Sequence, residues 1–192
     1  MYNYDSVSLG VDMTESLITA ILLLLVATAW LYNRLVRNRN LVSEAWAGID
    51  VQLQKRSELV PNLVKIVKGY AAHESSVLED VTRLRASTEN RIEARAKQET
   101  AFSRSLGRLF ALAEDYPDLK ASDGFQQLHS SLVEIEDHLQ YARRYYNGAV
   151  RDNNNLVEAF PSNIVANIFK FSQAEFFEIE LASQRSAPHV DL

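Results

Sequence analysis

Sixteen consecutive uncharged, mostly apolar residues, Leu17 to Tyr32, constrain this chain more than any other feature. A transmembrane helix needs about 17–25 such residues. Ser16 and Asn33 extend the run at its ends, and Trp30 and Tyr32 stand where an aromatic belt is expected. The charges around the run are lopsided. Asp5, Asp12 and Glu15 precede it without a base, and Arg34, Arg37 and Arg39 follow it with no acid until Glu44. Basic residues near a span stay on the cytoplasmic side, so the first fifteen residues are expected outside and the remainder in the cytoplasm. The expected anchor is carried by Leu17, Ile18, Ile21, Leu22, Leu23, Leu24, Leu25, Val26, Trp30, Leu31 and Tyr32, and its topology by the three arginines.

Two other readings of the run are weaker. Ala27-Thr28-Ala29 resembles a signal-peptide cleavage site, but the segment before the run is acidic where a signal peptide is basic. A buried core helix fits poorly with Leu22 to Val26, which is apolar on every face. The chain has no cysteine, which excludes a lipoprotein anchor, disulfides, thiol catalysis and cysteine metal sites.

Beyond the run, Arg34 to Leu192 carries 20 basic and 22 acidic residues, a near-neutral balance that makes no case for nucleic-acid binding. Six Gly and four Pro in 192 residues point to helices rather than many short strands. Apolar residues recur at three- and four-residue steps through Trp46, Ile49, Leu53, Val60, Leu63, Val67, Leu78, Val81 and Leu84. Residues 34 to 88 therefore read as one very long helix or two in line. Pro61 lacks a backbone donor and its ring crowds the carbonyl four residues back, so a kink or break is expected near 57–61.

A polar junction at Ser87–Asn90 precedes a second helix from about Arg91 to Tyr116, where Pro117 pushes its neighbour out of the helical region. A third begins near Ser122 or Asp123, Asp123 and Gln126 having capping-box spacing, and stops before Pro161. Asn153-Asn154-Asn155 reads as fraying near that helix's end, or else as a polar layer that fixes register. The expected fold is all-α: an N-terminal transmembrane helix (16–33) after a short extracytoplasmic stretch (1–15), then an antiparallel bundle of three to four long helices (34–160), then an aromatic-rich segment and tail (161–192).

At the start of that last stretch and within it stand Phe160, Phe169, Phe171, Phe176 and Phe177, five of the eight phenylalanines, within eighteen residues. They either cap the bundle or form an exposed surface for a partner chain or the membrane. Against membrane contact, Lys170 is the only base between Pro161 and Gln184, and Glu175, Glu178 and Glu180 are repelled by anionic lipid.

No spacing supports an enzyme. His73, His129 and His138 lack a Glu three residues before them, no His-Glu-x-x-His occurs, and there is no Gly-rich phosphate loop or Gly-x-Ser-x-Gly turn. Glu134 and His138 read as a solvated pair one helical turn apart. Asp137, Arg143, Arg144, Arg151 and Asp152 read as solvated or interhelical pairs. No cofactor, metal, small-molecule substrate or catalytic residue is expected.

Three blocks carry a resemblance. The first is Ala45-Trp46-Ala47-Gly48-Ile49-Asp50-Val51-Gln52-Leu53-Gln54-Lys55-Arg56, with Leu59-Val60-Pro61-Asn62-Leu63-Val64 and Lys68-Gly69-Tyr70-Ala71-Ala72-His73-Glu74. The second is Ala142-Arg143-Arg144-Tyr145-Tyr146-Asn147 with Val150-Arg151-Asp152 and Phe160-Pro161-Ser162-Asn163. The third is Ile168-Phe169-Lys170-Phe171 with Phe176-Phe177-Glu178. In this order they resemble the LemA family over most of residues 32 to 180. The chain departs from the family pattern at Asn154, where tyrosine is usual, and at Ser172–Glu175, where a basic, proline-containing link is usual.

The resemblance implies a bacterial single-pass protein of the cytoplasmic (inner) membrane with a cytoplasmic helical bundle, and brings no catalytic residues. One family member acts in making magnetosome membranes, an analogy for membrane organisation. The expected function is a non-enzymatic anchored scaffold that self-assembles into a homo-oligomer and organises or shapes the bilayer. The alternative is an adaptor that recruits another membrane protein, such as a protease or transporter, through the Phe-rich segment.

Overall fold

The computed structural model describes residues 4–71, 74–86 and 91–177, with side chains described from Thr14 onward apart from Ser75 and Ala86. The side chains of Asp5 and Asp12, together with His73, Ser87–Asn90, Glu178, Ile179, Glu180, Leu181 and His189, lie outside the described residues. Among the described residues there are six helices and no strand: α1 (Tyr4–Tyr70), α2 (Ser75–Ala86), α3 (Ile92–Glu114), α4 (Pro117–Lys120), α5 (Asp123–Glu158) and α6 (Ser162–Ile168). They form two compact units. Residues 1–42 with 151–174 make an N-terminal unit, and residues 43–150 with 175–192 make a bundle unit.

In the bundle unit, Trp46 packs on Tyr146 (ring centroids 5.4 Å apart) while Ile66 reaches Gly124, so α1 and α5 run antiparallel. A Cβ on Gly124 would come within 3.2 Å of Ile66 Cδ1, which is why glycine suits this approach. Asp50 faces Arg95 and Arg56 faces Ser103, so α1 and α3 run parallel. Between them α2 runs back, Arg85 bonding the carbonyl of Ser57 and Gln98 that of Leu84. The result is an up-down-up-down bundle of four helices, as the apolar periodicity implies.

Buried positions on α1 follow three- and four-residue steps through Ala45, Ile49, Leu53, Arg56, Val60, Leu63 and Val67. With Leu78 and Val81 of α2, Phe102, Leu106, Leu109 and Ala113 of α3, Leu119 of α4, and Phe125 and Leu132 of α5, the last three of these make one continuous core. His129 closes its edge against the ring of Phe110, 4.5 Å away.

One expectation is narrowed and two are corrected. Of the kink or break expected near Pro61, no break occurs: α1 runs through it to Tyr70. Burial of Val60 and Leu63 on either side holds the turn in place, and the Ser57 carbonyl that proline cannot serve takes its hydrogen bond from Arg85 instead. The chain reverses later, at 71–74, so the second segment packs antiparallel rather than in line. The start of α5 is capped by Ser122, whose Oγ accepts from the Phe125 N–H at 3.5 Å. Gln126 does not complete a capping box, and its amide donates instead to the Lys120 carbonyl. The Pro117 boundary is observed, with Tyr116 out of the helical region (φ −121°, ψ 85°) and Pro117 opening the one-turn α4.

In the N-terminal unit, α6 packs Val165 and Ala166 on Leu35 of α1, with Leu31, Leu156, Val157 and Phe171 around them. A two-bond C-cap ends α6. The Phe171 N–H bonds the Ala166 carbonyl (2.9 Å) and the Lys170 N–H bonds the Asn167 carbonyl (3.4 Å), with Lys170 left-handed at φ 58° where glycine is usual.

Candidate functional site

From Leu17 to Val26 the large apolar side chains of α1 stand exposed, from 49% at Ile21 to 68% at Val26. The helix is long and apolar enough to cross a membrane, and none of its most apolar stretch is buried. The hydroxyls of Thr19 and Thr28 donate to the carbonyls of Glu15 and Leu24, both at 2.8 Å. Such internal bonding is what a hydrocarbon setting requires of polar groups. At the end of the run two of the expected anchor residues also pack within the protein. Leu31 is half-buried in the α6 cluster, and the Tyr32 ring lies edge-on to Phe169 (4.8 Å) and Phe171 (5.7 Å). Tyr32 stays exposed, and Arg34 lies over the Trp30 ring at 5.4 Å. Arg37 is exposed, and Arg39 sits over Phe171 at 5.4 Å.

The five phenylalanines do not form one surface. Phe177 is buried in the bundle unit, beside Trp46 and under the guanidinium of Arg143. Phe171 is half-buried in the N-terminal unit. Phe160, Phe169 and Phe176 remain exposed. The buried members are held by asparagines of α5, which here act as stand-ins for a neighbouring strand. Asn154 accepts from the Ala174 N–H (2.8 Å) and donates to its carbonyl (3.0 Å). In the bundle unit Asn147 does the same for Phe177, at 2.9 and 3.1 Å. Asn153 is buried and contacts the Ser172 carbonyl at 3.5 Å. The asparagine run is therefore not frayed: it lies within α5, and Asn153 and Asn154 satisfy backbone groups of residues 172–174.

The sequence reading missed a buried ionic cluster in the bundle unit. Arg56 is 2% exposed, donating to Glu136 (2.9 Å), to Ser103 (3.1 Å) and to Glu99, with its guanidinium 4.8 Å from the Phe102 ring centre. Arg95 approaches Glu99 (3.4 Å) and Asp50 (3.9 Å), and Arg143 approaches Glu136 (3.6 Å). Three cations face three carboxylates across α1, α3 and α5. Burial pulls the Arg143 guanidinium below its ordinary range; Glu136 opposes this and Arg56 adds to it. The carboxylates are engaged by arginines rather than presented to a cleft, so the arrangement is one of mutual neutralisation. Elsewhere on α5, Glu134 and His138 form the expected exposed pair at 3.6 Å. Among the described residues no group of three His, Asp or Glu side chains is placed to hold a metal ion.

These features define a class: an all-helical protein with one apolar segment fit to cross a membrane and an ionically cross-linked bundle. The chain belongs to the LemA family, whose model matches residues 45–192. It is 27% identical over 175 residues to magnetosome protein MamQ 2 of Paramagnetospirillum magneticum, covering 77% of this chain and 64% of the relative. It is 26% identical over 159 residues to magnetosome protein MamQ of Magnetospirillum gryphiswaldense, covering 68% and 58%. It is 25% identical over 166 residues to protein LemA of Metamycoplasma hominis, covering 80% and 75%. The chain spans less than two thirds of the length of these magnetosome relatives. Arg56, Arg143, Tyr146, Asn147 and Phe177, drawn from all three blocks of family resemblance, lie in the bundle unit and make its long-range polar and aromatic contacts.

Proposed function

We propose that the protein is a non-enzymatic scaffold, anchored by one span in the bacterial cytoplasmic membrane with its N-terminus outside, that self-assembles into a homo-oligomer and organises the bilayer around it. The observation that carries the anchoring is the exposed apolar face from Leu17 to Val26, which water would not tolerate as a contiguous patch. Arg34, Arg37 and Arg39 after it, against Glu15 before it, support the orientation. Family membership and the magnetosome relatives support a structural rather than catalytic role. For assembly, Tyr141 and Tyr145 are exposed one turn apart on α5, and confinement to a membrane raises the effective concentration at which weak side-to-side contacts suffice.

The test is the mass and shape of the full-length protein extracted in mild detergent, by light scattering and electron microscopy. A large regular assembly of 21.8 kDa chains is the expected outcome. A clean monomer there and in native membranes overturns the scaffold reading and favours the adaptor. Orientation is read separately. The chain has no cysteine, so a Ser6→Cys variant should react with an impermeant maleimide added outside the cell.

A further inference from the structure

The short helix α6 is apolar on two faces. Its inner face, Val165 and Ala166, packs on Leu35. Its outer face shows Ile164 and Ile168, one turn apart, flanked by Phe160 at 81% exposure and Phe169 at 51%. Of the seven residues of α6 only Ser162, Asn163 and Asn167 are polar, and Asn167 alone of these is exposed. Two observations say what covers the outer face.

The first is position. Phe169 lies 4.8 Å from Tyr32, the last residue of the apolar run of α1. Where that run crosses hydrocarbon, Trp30 and Tyr32 lie at the interface. A ring in edge contact with Tyr32 lies at the same depth. The second is charge. Residues 161–173 contain no acid, and neither do residues 16–43. Beside the patch stand Arg39, stacked on Phe171, and Lys170, which follows α6. The cations that the C-terminal stretch lacks in its own sequence are supplied by α1. Apolar side chains below and cations above are the arrangement of an interfacial membrane element.

We propose that the outer face of α6, with Phe160 and Phe169, is a second membrane-contact site. It enters the headgroup–acyl boundary of the leaflet from which α1 emerges, and Arg39 and Lys170 meet anionic phospholipid headgroups. This rests on the anchoring reading above, and it fixes the depth of the N-terminal unit against the bilayer.

The absence of cysteine allows single labels in the full-length chain. Ile164→Cys, Ile168→Cys and Leu24→Cys would each carry an environment-sensitive fluorophore. Each would be reconstituted in vesicles of phosphatidylethanolamine and phosphatidylglycerol (3:1) containing lipid doxyl-labelled at carbon 5 or carbon 12. Ile164 and Ile168 are exposed, so the labels displace no core contact. The expected result is at least two-fold quenching of both α6 labels, stronger from carbon 5, with the Leu24 label quenched more from carbon 12. A quenched Leu24 label with unquenched α6 labels overturns the second contact while the anchor stands. No quenching at any site overturns both readings. Pyrene excimers at Ile164 without lipid quenching show that a second copy covers the face, and also overturn the proposal.

Discussion

The Nε of Arg85 donates to the carbonyl of Ser57 at 2.8 Å, and that carbonyl is the one Pro61 leaves without its helical donor. One residue of α2 thereby repairs a defect in α1 and fixes where the two helices meet. Arg85→Ala should destabilise the bundle by about 1 kcal/mol, the net worth of a hydrogen bond to a partly exposed group. In a Pro61→Ala background the backbone N–H restored at that position serves Ser57, and the same change should cost only a few tenths of a kcal/mol, by order of magnitude. Urea unfolding of the four chains gives the coupling. Equal costs in both backgrounds would show that Arg85 and Pro61 act independently.

Arg56 occupies a position in the α1 seam that a Leu or Val would otherwise fill, and Glu99 does so on α3. Arg56→Met would leave Glu99 to Arg95 alone (3.4 Å) and Glu136 to Arg143 alone (3.6 Å), and removal of one member of a buried pair costs about 3–5 kcal/mol. Adding Glu99→Leu with Arg95→Met, and Glu136→Leu with Arg143→Met, should recover most of that loss, since the remaining pairs are then removed whole and a buried ionic group is seldom worth more than a packed apolar one. Thermal unfolding checks both steps. A single Arg56→Met variant as stable as the parent would show that the cluster is not closed to water.

Most of the helical architecture was legible because burial here follows the 3.6-residue period. The ionic cluster was legible too, but as a gap. Leu53 and Val60 are seven apart, and the step between them falls on Arg56. Ile92 and Phe102 leave a similar gap that Glu99 fills. A charge in a seam looks like a solvated residue until the partner helix is known. At Pro61 the choice between kink and break was not legible, because the Ser57 carbonyl it leaves free is served by Arg85, distant in sequence. Asn147 and Asn154 are seven apart and so share a helix face, yet nothing local shows that an extended chain lies on it. The exposed face of α6 was obscured because the neighbouring arginine, Arg39, is far from it in sequence.

The two departures from the family pattern meet in the structure, since Asn154 bonds both the N–H and the carbonyl of Ala174. A proline at 174 would lack the N–H that Asn154 accepts. Asn154→Ala should leave both backbone groups without their partner and speed amide exchange at Ala174 about ten-fold, ~1.4 kcal/mol being a factor of ten. Asn154→Asp keeps the acceptor and loses the donor, so protection at the Ala174 amide should largely persist. Hydrogen exchange resolved at single amides distinguishes the two, and equal exchange in all three chains would mean the side chain pairs with water instead.

Tyr146 provides the pH prediction. Its ring is buried, its hydroxyl donates to the Glu175 carbonyl at 2.8 Å, and its pKa is pushed up to about 12, first by burial and then by the Glu175 carboxylate. A folded-state pKa above the unfolded value of about 10 means that the folded chain holds this proton more tightly. The stabilisation is therefore complete below pH 10, declines as pH rises, and is gone above the folded value. Across that window the loss is about 2–3 kcal/mol, at 1.36 kcal/mol per pH unit. Tyr146→Phe cannot ionise. It should be less stable near neutrality, because the Glu175 carbonyl loses its donor, but its stability should fall less steeply between pH 10 and 12. Denaturant unfolding of both chains across that window is the measurement, and parallel slopes would show that Tyr146 ionises as freely in the folded chain as in the unfolded one.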